Sequence, residues 1–178
     1  LVEDLQFTGL KDEAASEEKG RQYACPYCGS AGSVLVDTSK SITCRGCNSL
    51  SDLSNGVGGG LRHAEQHEPV KALIPLGATG QLQGVQWQVV GFQHRMGQEP
   101  GDDEQFGWDE YLLYNRKRGF SFLVDSTDGW SMVKPATGAP SMAGSTARTA
   151  TYLGTTYALQ YSYNAETTYV AGEFYWPV

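Results

Sequence analysis

The chain is poor in cysteine, in positive charge and in long apolar runs, and each shortage closes off a class of function. Only four cysteines occur, all between residues 25 and 47, so no disulfide framework spans the chain and a secreted, bridge-stapled scaffold is not indicated. Lysine and arginine total 13 against 20 aspartates and glutamates, a formal charge of -7. Binding to a phosphate backbone draws on counterion release by clustered cations, so nucleic acid is disfavoured as a partner. No apolar run approaches the roughly 20 residues that cross a bilayer, and the first residues lack a basic-then-apolar leader, which reads as a soluble, cytoplasmic chain with no transmembrane segment. No serine sits in a nucleophile elbow, and the glycines of "NGVGGG" neither follow a strand nor lead into a Lys-Ser/Thr pair, so phosphate cradling is unsupported. The chain starts at Leu1 and is expected to be a processed product or part of something longer.

What is plentiful is glycine and aromatic residues, 22 Gly, ten Tyr and four Trp, which suits strands punctuated by turns. The expected class is mainly β: a small zinc ribbon followed by an antiparallel β-barrel-like or rolled-sheet domain. Residues 1–20, with six acids against two lysines, read as an acidic tail or short helix. Residues 21–50 form the cysteine unit, and 51–71 a Gly-rich linker that leaves its neighbours distinct. Residues 72–178 form the β-rich domain. In "VQWQV", Val85, Trp87 and Val89 face one way, and the phase change at Val90 predicts a bulge. "WDEYLLYN", "GFSFLVD" and "DGWSMVK" add hairpin-linked strands. "PATGAPSMAGSTART" reads as a mobile loop. After it, Tyr157, Leu159, Tyr161 and Tyr163 share one face of a strand, with two or three strands in that last third. A sheet of this size is expected to roll up or close, because its edges must be hidden.

Cys25, Cys28, Cys44 and Cys47 make two CxxC pairs with fifteen residues between them. That spacing fits a four-thiolate zinc ribbon, in which each CxxC turn offers two sulfurs and free amides to one side of an ion. A disulfide pair fits a reducing compartment poorly, and a redox CxxC would need one pair beside a strand-helix unit. Iron in a rubredoxin-like site stays open: "CPYCG" suits it, whereas "CRGCN" lacks the proline and the following glycine. Four thiolates fill a tetrahedral ion completely, so the expected role is structural.

Among other residues, His63 and His67 are four apart but flanked by Pro69 and glycines, which favours a solvated linker. His94 reads as an edge residue beside Arg95. Asp109 and Glu110 are neighbours in a strand and point to opposite faces. Glu110 shares the apolar face of Trp108, Leu112 and Tyr114, where burial demands a partner, with Arg116 or backbone the simplest. Trp108, Glu110, Tyr111 and Trp130 are therefore the candidate ligand pocket, although the aromatics as a set read more readily as core.

Beginning at Cys25, "CPYCGS", "CRGCNS", "IPLGATGQLQGVQWQVVGF", "WDEYLLYN", "GFSFLV", "DGW" and "YVAGEFYW" occur in the order that resembles a bacterial family, domain of unknown function 4178, in its form preceded by a zinc ribbon. The resemblance implies a β-rich domain without an established activity. It also implies a genomic setting beside membrane-associated proteins and polyamine-type enzymes. Relatives commonly place a histidine between the glycine and tryptophan of "DGW" and continue past "GEFYW", whereas here Gly129 meets Trp130 directly and the chain stops at Val178. The expected function is a non-enzymatic protein-interaction or assembly module whose partner is another protein or a larger assembly. The alternatives are a small-ligand binder or enzyme using a pocket near Glu110, and, third, a single-stranded nucleic-acid binder.

Overall fold

The computed structural model describes residues 6–8, 20–53, 66, 70–142 and 148–177. His63 and His67, most of residues 1–20 and most of the expected linker lie outside them. Among the described residues there is no helix, and hence none long and apolar enough to cross a membrane. The strands are β1 (Gln6–Thr8), β2 (Arg21–Ala24), β3 (Ala31–Val34), β4 (Ser41–Thr43), β5 (Leu50–Asp52), β6 (Thr79–Leu82) and β7 (Val85–Gln98). They continue with β8 (Gln105–Asn115), β9 (Gly119–Ser126), β10 (Gly129–Val133), β11 (Ser141–Met142), β12 (Thr149–Tyr152), β13 (Thr155–Ala158) and β14 (Asn164–Phe174). The start of the chain contributes a strand, not a helix, where it is described: β1 pairs antiparallel with β6.

The hairpins expected from period-two patterning form one antiparallel meander, β7 to β10. The bulge anticipated at Val90 is present as a register shift between Val89 and Gly91. It rotates the second half of β7, so Trp87, Val89 and Phe92 all enter one apolar cluster with Leu82, Tyr111, Leu113 and Leu123. Each such side chain, withdrawn from water, contributes about 1.5–3 kcal/mol. The opposite face carries Val90, Leu112, Val170 and Phe174.

The sheet does not close into a barrel. Its order is β10-β9-β8-β7-β14-β4-β5, with β6 and β1 running on from β7. The physical reason lies in β14. One side pairs with β7, and the last residues, Glu173 and Phe174, pair with Ile42 and Ser41 of β4 on the other side. The cysteine unit hides the edge that closure would have hidden. The cysteine unit packs on the β-domain: Val36 and Leu50 share a buried cluster with Val90, Leu112, Val170 and Phe174. Backbone bonds run from Lys40 N to the Phe174 carbonyl, 2.8 Å, and the Ser41 hydroxyl donates to the Trp176 carbonyl, 2.8 Å.

Where β14 crosses β7 the backbones touch. Gly172 has φ +89°, and a Cβ there would strike the Val90 carbonyl oxygen and stand 3.0 Å from Gly91 Cα. Gly172→Ala is expected to cost about 2–3 kcal/mol, through strain and this collision. Urea midpoints of the two proteins measure it, and equal midpoints would show that β14 can slide away from β7.

The last third departs from the expected pattern. Strand structure ends at Ala158, and residues 159–163 are irregular, with Leu159, Tyr161 and Tyr163 exposed. The expected mobile loop is in part a strand, since β11 pairs with β12, which pairs with β13, in a small separate sheet.

Candidate metal centre

The two CxxC segments are the turns of two hairpins, β2–β3 and β4–β5. Each turn is built alike. Cys25 N donates to the Ser30 carbonyl and Cys44 N to the Ser49 carbonyl, both at 2.8 Å. Gly29 N and Asn48 N return to the carbonyls of Cys25 and Cys44, at 2.8 and 2.9 Å. Gly29 and Asn48 are equivalent, each following a CxxC and each left-handed, at φ 73° and 56°. The second turn can omit the glycine because asparagine tolerates that region better than most side chains.

This symmetry brings one sulfur atom from each cysteine within 4.8 Å of all the others. The Cys25–Cys47 separation is 3.8 Å and the Cys28–Cys44 separation 3.7 Å. A tetrahedral ion with four sulfurs at about 2.3 Å has sulfur–sulfur edges of about 3.8 Å. The donor set thus fits a thiolate-bound metal ion, and the separations are far beyond the roughly 2.05 Å of a disulfide. Gly46 N donates to Cys44 Sγ at 3.3 Å, and the Ser49 hydroxyl lies 3.4 Å from Cys25 Sγ and 3.1 Å from Cys47 Sγ. Burial pushes the Cys25 thiol up, but hydrogen bonds from Ser49 and the Cys28 and Tyr27 amides outweigh it and hold it at about 6. Burial pushes Cys44 up to about 11, a cost that a bound cation offsets.

A second polar centre ties this unit to the β-domain. Glu173 on β14 is 5% exposed. Its Oε1 accepts from Leu35 N at 2.7 Å, and its Oε2 accepts from Val36 N at 3.0 Å and the Ser39 hydroxyl at 2.9 Å. The sequence reading missed Glu173. Its signal was an acid flanked by apolar residues in "YVAGEFYW", the same signal that singled out Glu110.

The candidate pocket residues divide between the two faces of the sheet. Trp108 and Glu110 share one face: Trp108 Nε1 donates to Glu110 Oε1 at 2.6 Å, and Gln93 Nε2 donates to Oε2. Arg95 Nη1 stands 3.6 Å from Glu110 Oε1, with its guanidinium 5.4 Å from the Trp108 ring centroid. The partners of Glu110 are Gln93, Trp108 and Arg95, where Arg116 or backbone was expected. Tyr111 and Trp130 are on the other face, with ring centroids 5.8 Å apart. The Tyr111 hydroxyl accepts from Leu73 N at 3.0 Å, and burial pushes its phenol up. The four residues do not line one space.

His94 is not at an edge. It sits on β7 between β8 and β14, with Nδ1 2.7 Å from Asp109 Oδ1. Asp109 pairs in turn with Asp125 of β9, whose carboxyl is pushed up by burial and by the Asp109 charge. A Cβ on Gly107 would come within 3.3 Å of His94 Nε2, so the ring edge packs against that glycine. Asp109 and Glu110 do occupy opposite faces, each with its own cross-strand partner.

No curated protein and no solved structure matches this chain. The meander, β14 and the segment leading into β6 fall within residues 75–178, which match the family described as Domain of unknown function (DUF4178); that is more than half of the chain, and the chain belongs to this family.

Proposed function

We propose that the protein is a non-enzymatic interaction or assembly module, with a structural zinc site bracing a β-domain that presents a charge-poor aromatic arm to another protein. The observation that carries this reading is the small sheet β11-β12-β13 and the chain after it. All of β13 is exposed, as are Met142, Leu153, Tyr157, Leu159 and Tyr161. A three-stranded sheet holds together by burying one face, and here only Ala150 and Tyr152 of β12 are partly covered among the described residues. Between residues 135 and 165 the only charged side chain is Arg148, in a protein of net charge -7. Tyrosine-rich, charge-depleted surface of this kind is the composition of interface cores.

Zinc is the metal proposed, because four thiolates at tetrahedral spacing leave it no open position and make it a pure cross-link. Iron is the competing occupant, and metal analysis of the purified protein separates them: one zinc per chain and no visible absorption band is expected. Glu110 lends no support to a pocket at its side chain, since both of its oxygens are engaged. A bacterial, cytoplasmic setting is proposed with the module, and nucleic acid is not, given the charge.

The arm is tested by capturing partners from the native cell with the full chain and with Leu153→Ser/Tyr157→Ser/Leu159→Ser side by side. These side chains are exposed, so the fold is expected to survive within about 1 kcal/mol. A protein held by the first and lost at least tenfold by the second supports the reading. Identical co-eluting sets would sink it.

A further inference from the structure

The small sheet has an open edge at β13. Its strands lie in the order β11-β12-β13, so β13 has a neighbour on one side only among the described residues. One contact fixes which of its backbone groups are engaged: Leu159 N donates to the Arg148 carbonyl at 2.7 Å. Antiparallel pairs alternate between those that exchange backbone bonds and those that do not. Counted back through the register, Tyr157 bonds to Ala150 and Thr155 to Tyr152, while Ala158 and Thr156 face Thr149 and Thr151 in unbonded pairs. The N–H and C=O groups of Thr156 and Ala158 therefore point outward, away from β12.

An open edge invites another strand, and proteins blunt such edges with shortness, charge or proline. The outer strands of the main sheet are blunted in these ways: β1 is three residues long, β5 ends on Asp52, and β10 runs into Lys134 and Pro135. At the far side of the small sheet, β11 is two residues long and follows Pro140. β13 is Thr-Thr-Tyr-Ala, strand-favouring and without charge or proline. Two copies of a chain of net charge -7 repel across most of their surfaces, but residues 135–165 contain no acid and escape that repulsion.

The rows across the sheet select a register. Met142, Ala150 and Tyr157 lie opposite one another on β11, β12 and β13, as do Ser141, Thr151 and Thr156. One face thus carries an apolar row ending on Tyr157, which is 55% exposed. The other carries hydroxyls, with Thr151 and Thr156 Oγ1 3.3 Å apart. An antiparallel copy centred on Tyr157 continues the apolar row with its own. It also sets Ala158 against Thr156 on both sides of the centre, where the outward N–H and C=O groups of the two chains satisfy one another.

We propose that the arm's partner is a second copy of this chain, held by antiparallel pairing of β13 with β13 across a two-fold axis at Tyr157, so that two three-stranded sheets become one. The proposal rests on the reading of the arm as an interaction surface and names its occupant. Such a contact uses the same edge of both chains and closes at two.

Light scattering on the full chain at about 0.1 mM is expected to give the mass of two chains, falling toward one on dilution. Thr156→Pro and Ala158→Pro each remove an outward N–H and leave the bonds to β12 in place. Each is expected to weaken the dimer at least tenfold, with the melting transition of the dilute protein unmoved. Should both prolines disturb the hairpin, Tyr157→Cys decides. Across the axis its Cα atoms stand about 4.5 Å apart, within reach of a disulfide. Two thiols then form one S–S bond as oxidised glutathione takes up two electrons and two protons. Mass spectrometry of the 157–157 peptide pair is expected to show linking at least tenfold faster than the 153–153 pair of Leu153→Cys, a site more exposed at 86% but off the axis. A single-chain mass at about 0.1 mM overturns the proposal, as does a dimer indifferent to both prolines, or equal linking at the two sites. A single-chain mass together with a captured protein that Leu153→Ser/Tyr157→Ser/Leu159→Ser loses overturns the second copy alone and leaves the arm reading standing.

Discussion

Cys44→Ser is expected to lower the melting transition of the whole protein by about 10 °C or more, and not to unfold residues 21–50 alone. The cysteine unit has a buried cluster of its own, Tyr23, Cys25, Val34, Ile42, Cys44 and Leu53, too small to hold so short a segment without the proposed metal. A four-thiolate site contributes about 10–16 kcal/mol of apparent binding energy, comparable with the roughly 5–15 kcal/mol stability of an entire domain. Losing one ligand thus releases β2 to β5. The consequence reaches further because β4 is hydrogen-bonded to β14. With the unit gone, Phe174, Val170, Val90 and Leu112 lose Val36 and Leu50 as cover, and the end of β14 becomes an open edge. At about 2–4 °C per kcal/mol for a chain of this size, losing part of that cluster accounts for the shift. Calorimetry of both proteins, with hydrogen exchange read over β7 to β9, is the check. A β-domain transition at its original temperature would show that the shared sheet is incidental to stability.

Much of this could be read in advance, and the boundary between what could and could not follows sequence distance. The CxxC turns, the Val90 bulge and the β8–β9 and β9–β10 hairpins are written in residues a few positions apart, where turn chemistry and alternation act directly. The pairing of β14 with both β7 and β4 is not. Nothing in "YVAGEFYW" states which edge it will meet, and a glycine-rich connector in the sequence says only that the chain bends, not whether the units it joins will dock. Alternation also misled where polarity was low on both sides: Tyr157 to Tyr163 has strand period, yet the strand stops at Ala158, and the backbone contact with the neighbouring segment runs only one residue further, from Leu159 N to the Arg148 carbonyl. Glu110 and Glu173 carry the same local signature, an acid within an apolar strand. Only the fold distinguishes the one held by side chains of its own face from the one that receives the backbone of another unit.

Glu173→Ala is expected to destabilise the protein by about 3–5 kcal/mol, and the conservative Glu173→Gln by nearly as much. All three groups that meet this side chain are donors, two backbone amides and a hydroxyl, so the position needs an acceptor at both ends of the head group. Glutamine offers one oxygen and one NH₂. Either orientation sets a donor against a donor: against Leu35 N one way, against Val36 N and the Ser39 hydroxyl the other. Ser39 can rotate away, whereas the amides are fixed by the chain. Alanine leaves Val36 N, on a residue 3% exposed, with no acceptor, at about 1–3 kcal/mol for that group alone. Glu173→Asp keeps both acceptors but withdraws them by one methylene from the unit they hold. The expected order of stability is therefore Glu, then Asp, then Gln, then Ala. Ser39→Ala removes one donor and leaves the two amides bonded, so it is expected to cost only about 1 kcal/mol. Denaturant midpoints across this series measure the order. If Gln matches Glu, the amide contacts are slack and the join between metal unit and β-domain rests on the Val36 and Leu50 packing instead.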